Sequence, residues 1–447
     1  MFMSKIKGKI SARGGSVSPK ASGKVLCAMS GGVDSSVAAA LLVAQGYDVT
    51  GAFMVNYEDE ITQINSEDYA DSKCWVGDYQ DALRVAAKLG IPLMRLDFQK
   101  EYKKTVLDYM YEEYRKGRTP NPDVLCNKFI KFGAWLDKAR ALGFDFLATG
   151  HYARLVNSPL GRGRPARNAL ACEAGGGGLA LMSAKDANKD QTYFLHQLNQ
   201  AQLKHVLFPI GEYIKPEVRK LARKFNLPNA DKEESMGICF VGEVPMKEFL
   251  QKEIKSKKGK ILLSPSARPA RNALACEAGG GGVRGGGSGE AIGEHEGLPF
   301  YTIGQRQGLS FRAERSGVEE SLTPRFKGSL HSAKSLGRDD KTKPLYVVAK
   351  NQAKNELIVG YENDQLLYKK EIEATNINWI SGQPPKFPFQ CEARLRHRQP
   401  LQKCKVIKSI KSKVKVEFST PQRAVTPGQF AVFYKDGECL GGGVIVS

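Results

Sequence analysis

The chain has 447 residues, of which 41% are hydrophobic and 26% are charged, a composition typical of a globular protein with two to four domains. Sixty-seven Lys and Arg oppose 47 Asp and Glu, and the net charge of +20 favours a polyanionic partner over a basic surface without one. No apolar run reaches the roughly 18 to 20 residues of a membrane helix, so we expect a soluble, cytoplasmic protein with no membrane partner.

The nine Cys include no C-x-x-C pair, which argues against a disulfide framework and against a cysteine-cluster metal site. The first 24 residues contain six Lys and Arg and no acidic residue, but they lack the apolar core of a secretory signal. We interpret residues 1–23 as a basic disordered tail, with an organelle transit peptide as the less favoured alternative.

Residues 24–240 alternate between strand patterns and helix patterns. The predicted strands are KVLCAM, DVTGAFM, IPLMRLDF and DFLATG, and segments with helical periodicity separate them. This rhythm predicts an α/β domain with a parallel sheet covered on both faces and a ligand at the carboxyl ends of its strands.

The first strand leads into a turn rich in glycine and serine that opens a helix. This turn, the pyrophosphate loop, consists of Ala28, Met29, Ser30, Gly31, Gly32, Val33, Asp34 and Ser35. Its glycines permit backbone N–H groups to converge on phosphate, and the helix N-terminus adds a positive dipole. The G-K-[ST] ending of a Walker A loop is missing, and the turn resembles the signature S-G-G-x-D-S instead. Enzymes with that signature split ATP between its α and β phosphates, which implies adenylation of the substrate; an ordinary capped turn is the alternative.

A second polar segment, TPNPDVLCNK at residues 119–128, precedes apolar residues at helical spacing. Its two prolines restrict the directions in which Asn121 and Asp123 point. We place Cys126 at or just before a helix start, with Lys128 and Lys131 nearby. This position predicts a thiol pKa below its usual ~8.5 and a nucleophilic thiolate, whereas a buried, inert Cys is the alternative.

Cys239 lies in the apolar run MGICFVG, between two glycines. Such a residue taken alone is more often structural. It becomes interesting as a partner of Cys126, because one of two thiols that meet at an activated carbon can carry a persulfide and the other can resolve it.

The 15-residue sequence RPARNALACEAGGGG occurs twice, at residues 164–178 and 268–282. Polyglycine has high chain entropy and no side chains to bury, so we predict neutral loops within two inserts, residues 161–178 and 264–289. The second insert falls in a mixed region, residues 241–343, which we predict to be a small central domain.

Residues 344–447 consist of short β-rich runs broken by turns. Seven such runs, from PLYVVAK to GGGVIVS, predict a C-terminal antiparallel β-barrel. Residues 391–423 hold ten Lys and Arg against two acidic residues, which favours a phosphate-binding surface. The lysines of KSKVKVEF would equally fit a solvated strand face.

Taken together and in this order, the motifs resemble those of the tRNA-specific 2-thiouridylase family. The shared stretches are the pyrophosphate loop, GAFMVNY, TPNPDVLCNKFIKFG, ATGHYAR, ANKDQTYFL, MGICFVG, FYTIGQRQGL, LRHRQPL and AVTPGQFAVFY. The resemblance runs from about Lys24 to the C-terminus, apart from the inserts. It implies a pyrophosphate-loop nucleotide domain, a small central tRNA-binding domain and a C-terminal β-barrel.

The family thiolates the wobble uridine of tRNAs for lysine, glutamate and glutamine. By resemblance, Met54 and Gly150 join the pyrophosphate loop in binding ATP, and we expect Mg²⁺ as a second cofactor. Sulfur would come from a persulfide donor, a cysteine desulfurase or a sulfur-relay protein.

The resemblance also assigns roles in catalysis and RNA binding. Asn121, Pro122 and Asp123 would meet the target base, and Asp123 is a candidate acid/base. Cys126 would be the nucleophile and Cys239 the persulfide carrier, and transfer would leave a disulfide between them that must be reduced. The positions that match tRNA contacts are His151, Lys189, Asp190, Gln191, Arg396, His397 and Gln429.

Two competing functions make different demands on these residues. A pyrophosphate-loop ligase that adenylates a base and then adds an amine would need neither Cys126 nor Cys239. A non-catalytic RNA-binding protein with a relic nucleotide fold would not exchange pyrophosphate into ATP in the presence of tRNA.

Overall fold

The computed structural model describes seven segments of the chain, namely residues 23–56, 75–157, 178–233, 246–267, 291–306, 344–408 and 413–446. They form two compact units. The first unit comprises Met1–Glu253, Lys370–Pro421 and Thr426–Ser447, and the second comprises Ile254–Lys369 and Gln422–Val425. The predicted tail up to residue 22, most of both inserts and Cys239 lie outside the described residues.

The N-terminal part of the first unit alternates strands and helices, as its sequence predicts. Its strands are β1 (Lys24–Ala28), β2 (Asp48–Val55), β3 (Leu93–Asp97), β4 (Phe146–Ala148), β5 (Ala153–Asn157), β6 (Leu179–Ser183) and β7 (Val206–Leu207). Its α-helices are α1 (Val33–Gln45), α2 (Val76–Leu89), α3 (Gln99–Tyr102), α4 (Asp108–Arg115), α5 (Pro122–Leu125), α6 (Trp135–Ala141), α7 (Thr192–Leu195), α8 (Gln200–Leu203), α9 (Lys215–Lys224) and α10 (Met246–Gln251). Two π-helical stretches, Lys103–Leu107 and Cys126–Ala134, join α3 to α4 and α5 to α6.

Five of these strands form a sheet in the order β3-β2-β1-β4-β7, and every neighbouring pair is parallel. The three central residues of β1 are fully buried, as expected for a parallel strand covered on both faces. Val37, Phe53, Val85 and Val218 join α1, β2, α2 and α9 in one apolar core. The predicted parallel sheet is thereby confirmed, and its carboxyl edge lies where the pyrophosphate loop begins.

The second unit contains a four-stranded sheet of β8 (Gly259–Leu263), β9 (Ala291–His295), β10 (Tyr346–Asn351) and β11 (Glu356–Gly360). Its order is β10-β11-β8-β9. Our prediction placed β10 and β11 in the barrel, but β11 pairs in parallel with β8 instead. An alternating apolar pattern identifies a strand without identifying its neighbour, which explains the error. Ser264, assigned above to the second insert, is buried in this unit and its hydroxyl donates to Asp364.

The C-terminal part of the first unit is an antiparallel barrel. Its strands are β12 (Tyr368–Trp379), β13 (Phe389–Arg394), β14 (Gln402–Lys408), β15 (Val414–Arg423), β16 (Phe430–Lys435) and β17 (Glu438–Ile445). Their order is β12-β15-β14-β13-β16-β17, and pairing of β12 with β17 closes the barrel, which confirms the prediction of this fold. The hairpin of β5 and β6 adds to β17, so a segment of the N-terminal part extends the barrel sheet. Within the described residues, no helix has the length and apolar character needed to cross a membrane.

Candidate functional site

The pyrophosphate loop lies between β1 and α1 and depends on two close backbone approaches. Gly31 has φ of 76°, and a Cβ there would lie 2.2 Å from the carbonyl oxygen of Asp78. A Cβ at Gly150, just after β4, would lie 2.7 Å from the backbone nitrogen of Ser35. Only glycine fits either position, because both neighbours are backbone atoms that cannot give way. The turn is therefore held against α2 on one side and against the end of β4 on the other.

The first turn of α1 is suited to bind an anion. Its N-cap residue, Gly32, has no side chain to cap the helix, so the first N–H groups have no side-chain acceptor from this position. The hydroxyl oxygens of Ser30 and Ser35 lie 3.2 Å apart beside these N–H groups. Asn229 braces the turn by donating to the carbonyl oxygen of Gly31 at 2.8 Å. N–H groups at a helix start without a side-chain cap, hydroxyls and a helix dipole at one point suit a phosphate group.

Asp34, in the same helical turn, is held from two directions. Its carboxylate accepts from Lys215 Nζ at 2.7 and 2.8 Å and from the Tyr152 hydroxyl at 3.0 Å. The side chain of Lys215 is only 12% exposed, against 31% for Asp34. Neither partner was expected from the sequence, although the Lys-Pro pair at 215 and 216 is typical of a helix start.

The remaining predicted ATP-binding residues gather at the same edge of the sheet. Ala28 is in register with Ala52 on β2, and the N–H of Met29 donates to the Ala52 carbonyl at 2.9 Å. Met54 is buried two residues further along β2. The structure therefore brings residues 28–35, Met54 and Gly150 to the carboxyl ends of adjacent strands, where ligands bind in open α/β sheets.

A second segment, residues 119–126, contains the short helix α5 and is named the proline loop. Asn121 is the N-cap of this helix, and its Oδ1 accepts from the N–H of Val124 at 3.2 Å. Its Nδ2 donates to Gln429 Oε1 at 3.4 Å. Gln429 in turn donates to the carbonyl oxygens of Thr119 and Pro120 at 3.1 and 3.3 Å. The side chain of Gln429, which belongs to the barrel, thus binds the proline loop on both sides of Pro120.

The backbone of the barrel is equally close to this loop. The N–H of Thr119 donates to the Pro427 carbonyl at 2.9 Å. Gly428 has φ of 94°, and a Cβ there would lie 2.9 Å from the Thr119 nitrogen. The proline loop therefore owes its position to the barrel as well as to its own prolines.

Cys126 departs from the expectation of an activated thiolate. It is fully buried, and this burial raises the pKa of Cys126 to about 12, with a smaller lowering effect from Lys131 and a raising effect from Asp123. The reason is its place in the helix: α5 already begins at Pro122, so the thiol lies past the first turn and faces the interior. The ammonium of the nearby Lys128 donates to Gln197 Oε1 at 3.1 Å. The predicted low pKa is wrong for this state of the protein.

The helix of Cys126 is connected to the pyrophosphate loop through His151. The rings of Phe132 and His151 lie 5.7 Å apart, and His151 directly follows Gly150, which touches Ser35. Burial holds the pKa of His151 well below its usual range, and its Nδ1 lies 2.7 Å from Thr149 Oγ1. His151 is therefore neutral and packed between the two loops.

The segment that contains three other predicted tRNA contacts is partly buried. The side chain of Asp190 has no exposed surface, and its carboxylate pairs with Arg394 of β13 at 2.6 Å and with Thr192 Oγ1 at 2.9 Å. Lys189 and Gln191, on either side, are partly exposed. Asp190 therefore joins residues 189–191 to the barrel, whereas Lys189 and Gln191 remain accessible to solvent.

The predicted contacts on the barrel lie near the proline loop. Arg396 donates to Thr426 Oγ1 at 2.8 Å, and Thr426 belongs to the same loop as Gln429. The ring of His397 lies 4.4 Å from that of Phe194, and its burial lowers the pKa of His397 to about 4.

Two lysines at the start of strand β15, Lys413 just before it and Lys415 within it, take part in ion pairs along the barrel surface. Lys413 pairs with Glu373 at 3.2 Å, and Lys415 pairs with Glu371 at 2.9 Å. These two lysines therefore behave as a solvated strand face, the alternative that the sequence left open.

Comparison with known proteins supports one family along the chain. The model of the tRNA methyl transferase HUP domain matches residues 23–243, that of the PRC-barrel domain residues 276–326, and that of the aminomethyltransferase β-barrel domain residues 369–445. The tRNA-specific 2-thiouridylase MnmA of Nitrosomonas eutropha is 41% identical over 424 residues, which cover 94% of this chain and 98% of that protein. The protein of the same name from Methylobacillus flagellatus is 40% identical over 425 residues, 95% and 99% of the two chains. The chain belongs to the tRNA-specific 2-thiouridylase family.

Because the chain belongs to the 2-thiouridylase family, it is an enzyme. Its pyrophosphate loop and proline loop are parts of that one enzyme. The family resemblance directed attention to Asn121, Cys126 and Gln429, and the structure brings these three onto adjoining elements. Neither the motifs nor their spacing indicated Tyr152 or Lys215, whose partner Asp34 lies more than 100 residues earlier in the chain.

Proposed function

We propose that the chain is a tRNA 2-thiouridylase, which adenylates the wobble uridine of tRNAs for lysine, glutamate and glutamine and replaces its oxygen 2 with sulfur. One observation carries this proposal. The helix of Cys126 contacts His151 through Phe132, and His151 follows the glycine that touches the phosphate-binding turn. An anion-binding helix end and a buried thiol are thus linked through one short segment, as adenylation followed by sulfur transfer requires.

ATP would bind with its phosphates at the start of α1, against Ser30, Ser35 and the uncapped N–H groups. The residues fit this ligand because Gly32 provides no side-chain cap to the helix start, and the Ser30 and Ser35 hydroxyls lie 3.2 Å apart at the same turn. Mg²⁺ prefers carboxylate oxygens, and the Asp34 carboxylate would provide them beside this helix end by exchanging the Lys215 ammonium for the metal. When bound, the metal would neutralise charge on the phosphates. Attachment of AMP turns the uracil oxygen into a leaving group, with release of pyrophosphate.

Sulfur transfer would use the two cysteines in turn. The terminal sulfur of a Cys239 persulfide attacks carbon 2 of the uracil, and AMP leaves with the oxygen. The Cys126 thiolate then attacks the Cys239 sulfur, which forms a disulfide between the cysteines and releases 2-thiouridine. Because burial keeps the Cys126 thiol neutral, a base must remove its proton when RNA is bound, and Asp123, one turn earlier, is our candidate. A thiol reductant would first reduce this disulfide to two thiols, and a cysteine desulfurase or a sulfur-relay protein would then reload Cys239.

The RNA would contact the protein around the proline loop. Asn121, Pro122 and Asp123 would meet the target base, and Arg396 and Gln429 would contact the RNA from the neighbouring barrel. Lys189 and Gln191 are exposed enough to reach the RNA, whereas Asp190 would act by holding Arg394. Single-stranded loops with unstacked bases are the usual targets of sequence-specific RNA recognition, which suits an anticodon loop.

The test is mass spectrometry of nucleosides from tRNA incubated with the protein, ATP, Mg²⁺, cysteine and a cysteine desulfurase. We expect 2-thiouridine, with one AMP and one pyrophosphate formed for each sulfur transferred. Cys126→Ser and Cys239→Ser should each abolish the product, while Cys439→Ser, a change at a buried barrel cysteine, should not. A product that carries nitrogen instead of sulfur, formed also by the two cysteine variants, would identify a ligase instead.

A further inference from the structure

The carboxylate of Asp34 is bound by two residues that both touch one short segment, residues 186–191, named the bridging loop here. Tyr152 provides the first connection. Its hydroxyl donates to Asp34 at 3.0 Å, and its backbone N–H donates to Gln191 Oε1 at 2.9 Å. The N–H of Gln191 donates back to the Tyr152 carbonyl at 3.0 Å. Two hydrogen bonds therefore fix the backbone of Tyr152 to the end of the bridging loop.

Lys215 provides the second connection, from the other end of the bridging loop. Its ammonium binds Asp34, and its backbone N–H donates to Asp186 Oδ2 at 2.9 Å. The other carboxylate oxygen of Asp186 accepts from the N–H of Asn188 at 3.1 Å. The bridging loop thus contacts both residues that hold Asp34.

The geometry points to Tyr152 as a positioning residue that couples RNA binding at the bridging loop to nucleotide binding at the pyrophosphate loop. This inference rests on the proposed function, because it takes Lys189 and Gln191 to be RNA contacts. Tyr152 is 2% exposed, so RNA would contact Gln191 and not Tyr152 itself. The buried Tyr152 joins Gln191 to Asp34, because its backbone binds the one residue and its hydroxyl binds the other. When RNA binds Gln191, the backbone of Tyr152 shifts with it, and the hydroxyl moves the Asp34 carboxylate relative to the phosphate site.

The coupling is measurable as the ratio of two dissociation constants. The probe is α,β-methylene-ATP with Mg²⁺, which cannot be split between its α and β phosphates, titrated into the full chain with and without saturating tRNA. Coupling of this kind typically changes affinity 5- to 150-fold, and linkage requires the analogue to change tRNA affinity by the same factor. We expect the wild type to bind the analogue about tenfold more tightly when tRNA is present.

Tyr152→Phe removes only the hydroxyl and should bring this ratio close to one. Its tRNA affinity without nucleotide should stay at the wild-type value, since the bonds to Gln191 use backbone atoms. Tyr79→Phe is the matched control: its ring packs against Phe53 in the same unit, and its ratio should remain that of the wild type. If Tyr152→Phe fails to fold, Gln191→Leu removes the side-chain acceptor and should lower the ratio in the same way.

A wild-type ratio near one, or an undiminished ratio in Tyr152→Phe, would overturn the inference. If the wild type also forms 2-thiouridine in the nucleoside assay, the proposed function stands and only the coupling fails. If the wild type neither binds tRNA nor forms 2-thiouridine, both the function and the inference built on it are wrong.

Discussion

The pyrophosphate loop and the proline loop differ in what holds them. The pyrophosphate loop follows a buried strand, turns at glycine and opens a 13-residue helix, and the distant residues that touch it, Asp78, Gly150 and Asn229, lie outside the barrel. The proline loop is bound by Pro427, Gly428 and Gln429 of the barrel, some 300 residues away. Loosening the barrel should therefore disturb the proline loop, while nucleotide binding at the pyrophosphate loop is retained.

The largest expected effect follows from the buried pair between Asp190 and Arg394. Asp190→Ala leaves the Arg394 guanidinium, which is 12% exposed, without its carboxylate, and we expect the free energy of unfolding to fall by about 3–5 kcal/mol. Urea denaturation measures this loss. Lys413→Ala, which breaks an exposed pair on the same barrel, should cost less than about 1 kcal/mol. Equal losses in the two variants would show that Asp190 does not join its segment to the barrel.

Gly428→Ala should impair the proline loop without affecting the pyrophosphate loop. The added Cβ would meet the Thr119 backbone at 2.9 Å in a residue with positive φ, so the proline loop must shift, at a local cost of about 1–3 kcal/mol. We expect thiolation to fall at least about tenfold while the affinity for α,β-methylene-ATP is unchanged.

Gly437→Ala is the control for that change. It has φ of 80°, but its Cβ would meet only the flexible end of Met182, at 3.6 Å. The Gly437→Ala variant therefore has the same kind of backbone strain as Gly428→Ala, but its added Cβ does not contact the proline loop. Thiolation that falls equally in both variants would assign the effect to strain in the barrel.

The buried thiol of Cys126 predicts a pH dependence. Its raised pKa, about 12, means that the folded protein keeps the proton while the unfolded thiol loses it above about 8.5. The stability that burial contributes is complete below that pH and is lost as the pH rises towards 12. Iodoacetamide labelling mapped by mass spectrometry should therefore find Cys126 slow to react at pH 8, with a rate still rising at pH 10. A plateau below pH 9 would show an activated thiolate and reinstate the sequence-based expectation.

The smallest effect concerns the barrel surface. Arg396→Ala should reduce by about one the slope of log affinity for tRNA against log salt concentration, as expected for one lost phosphate contact. Lys415→Ala should leave the slope unchanged, because this lysine is paired with Glu371. The measurement is a filter-binding series in potassium chloride. A reduced slope for Lys415→Ala would show that strand β15 belongs to the RNA-binding surface.

Several features were predictable because their causes are local. Alternation of apolar strands with amphipathic helices identified the parallel sheet, and the adjacent Gly31 and Gly32 indicated the tight turn between β1 and α1. The family motifs also indicated Gln429, although not the carbonyl oxygens that it binds. The role of Cys239 stays a prediction, since this residue lies outside the described part of the chain.

Other features depend on residues that meet only when the chain folds. The pairing of β11 with β8 rather than with the barrel depends on which strand edges lie side by side, and the apolar pattern of β11 carries no information about that. The pKa of Cys126 depends on how completely the surrounding side chains exclude water, which a helix position and nearby lysines cannot show.

The sequence by itself determined the α/β and barrel architecture, the glycine turn before α1 and the family, because hydrophobic period, turn glycines and ordered motifs are properties of short segments. The tertiary structure alone decided that Tyr152 and Lys215 hold Asp34, that Asp190 is buried against Arg394, and that the barrel positions the proline loop. The physical reason is that a hydrogen bond or a desolvated charge depends on atoms within a few ångströms in space, and here those atoms belong to residues more than 100 positions apart in the chain.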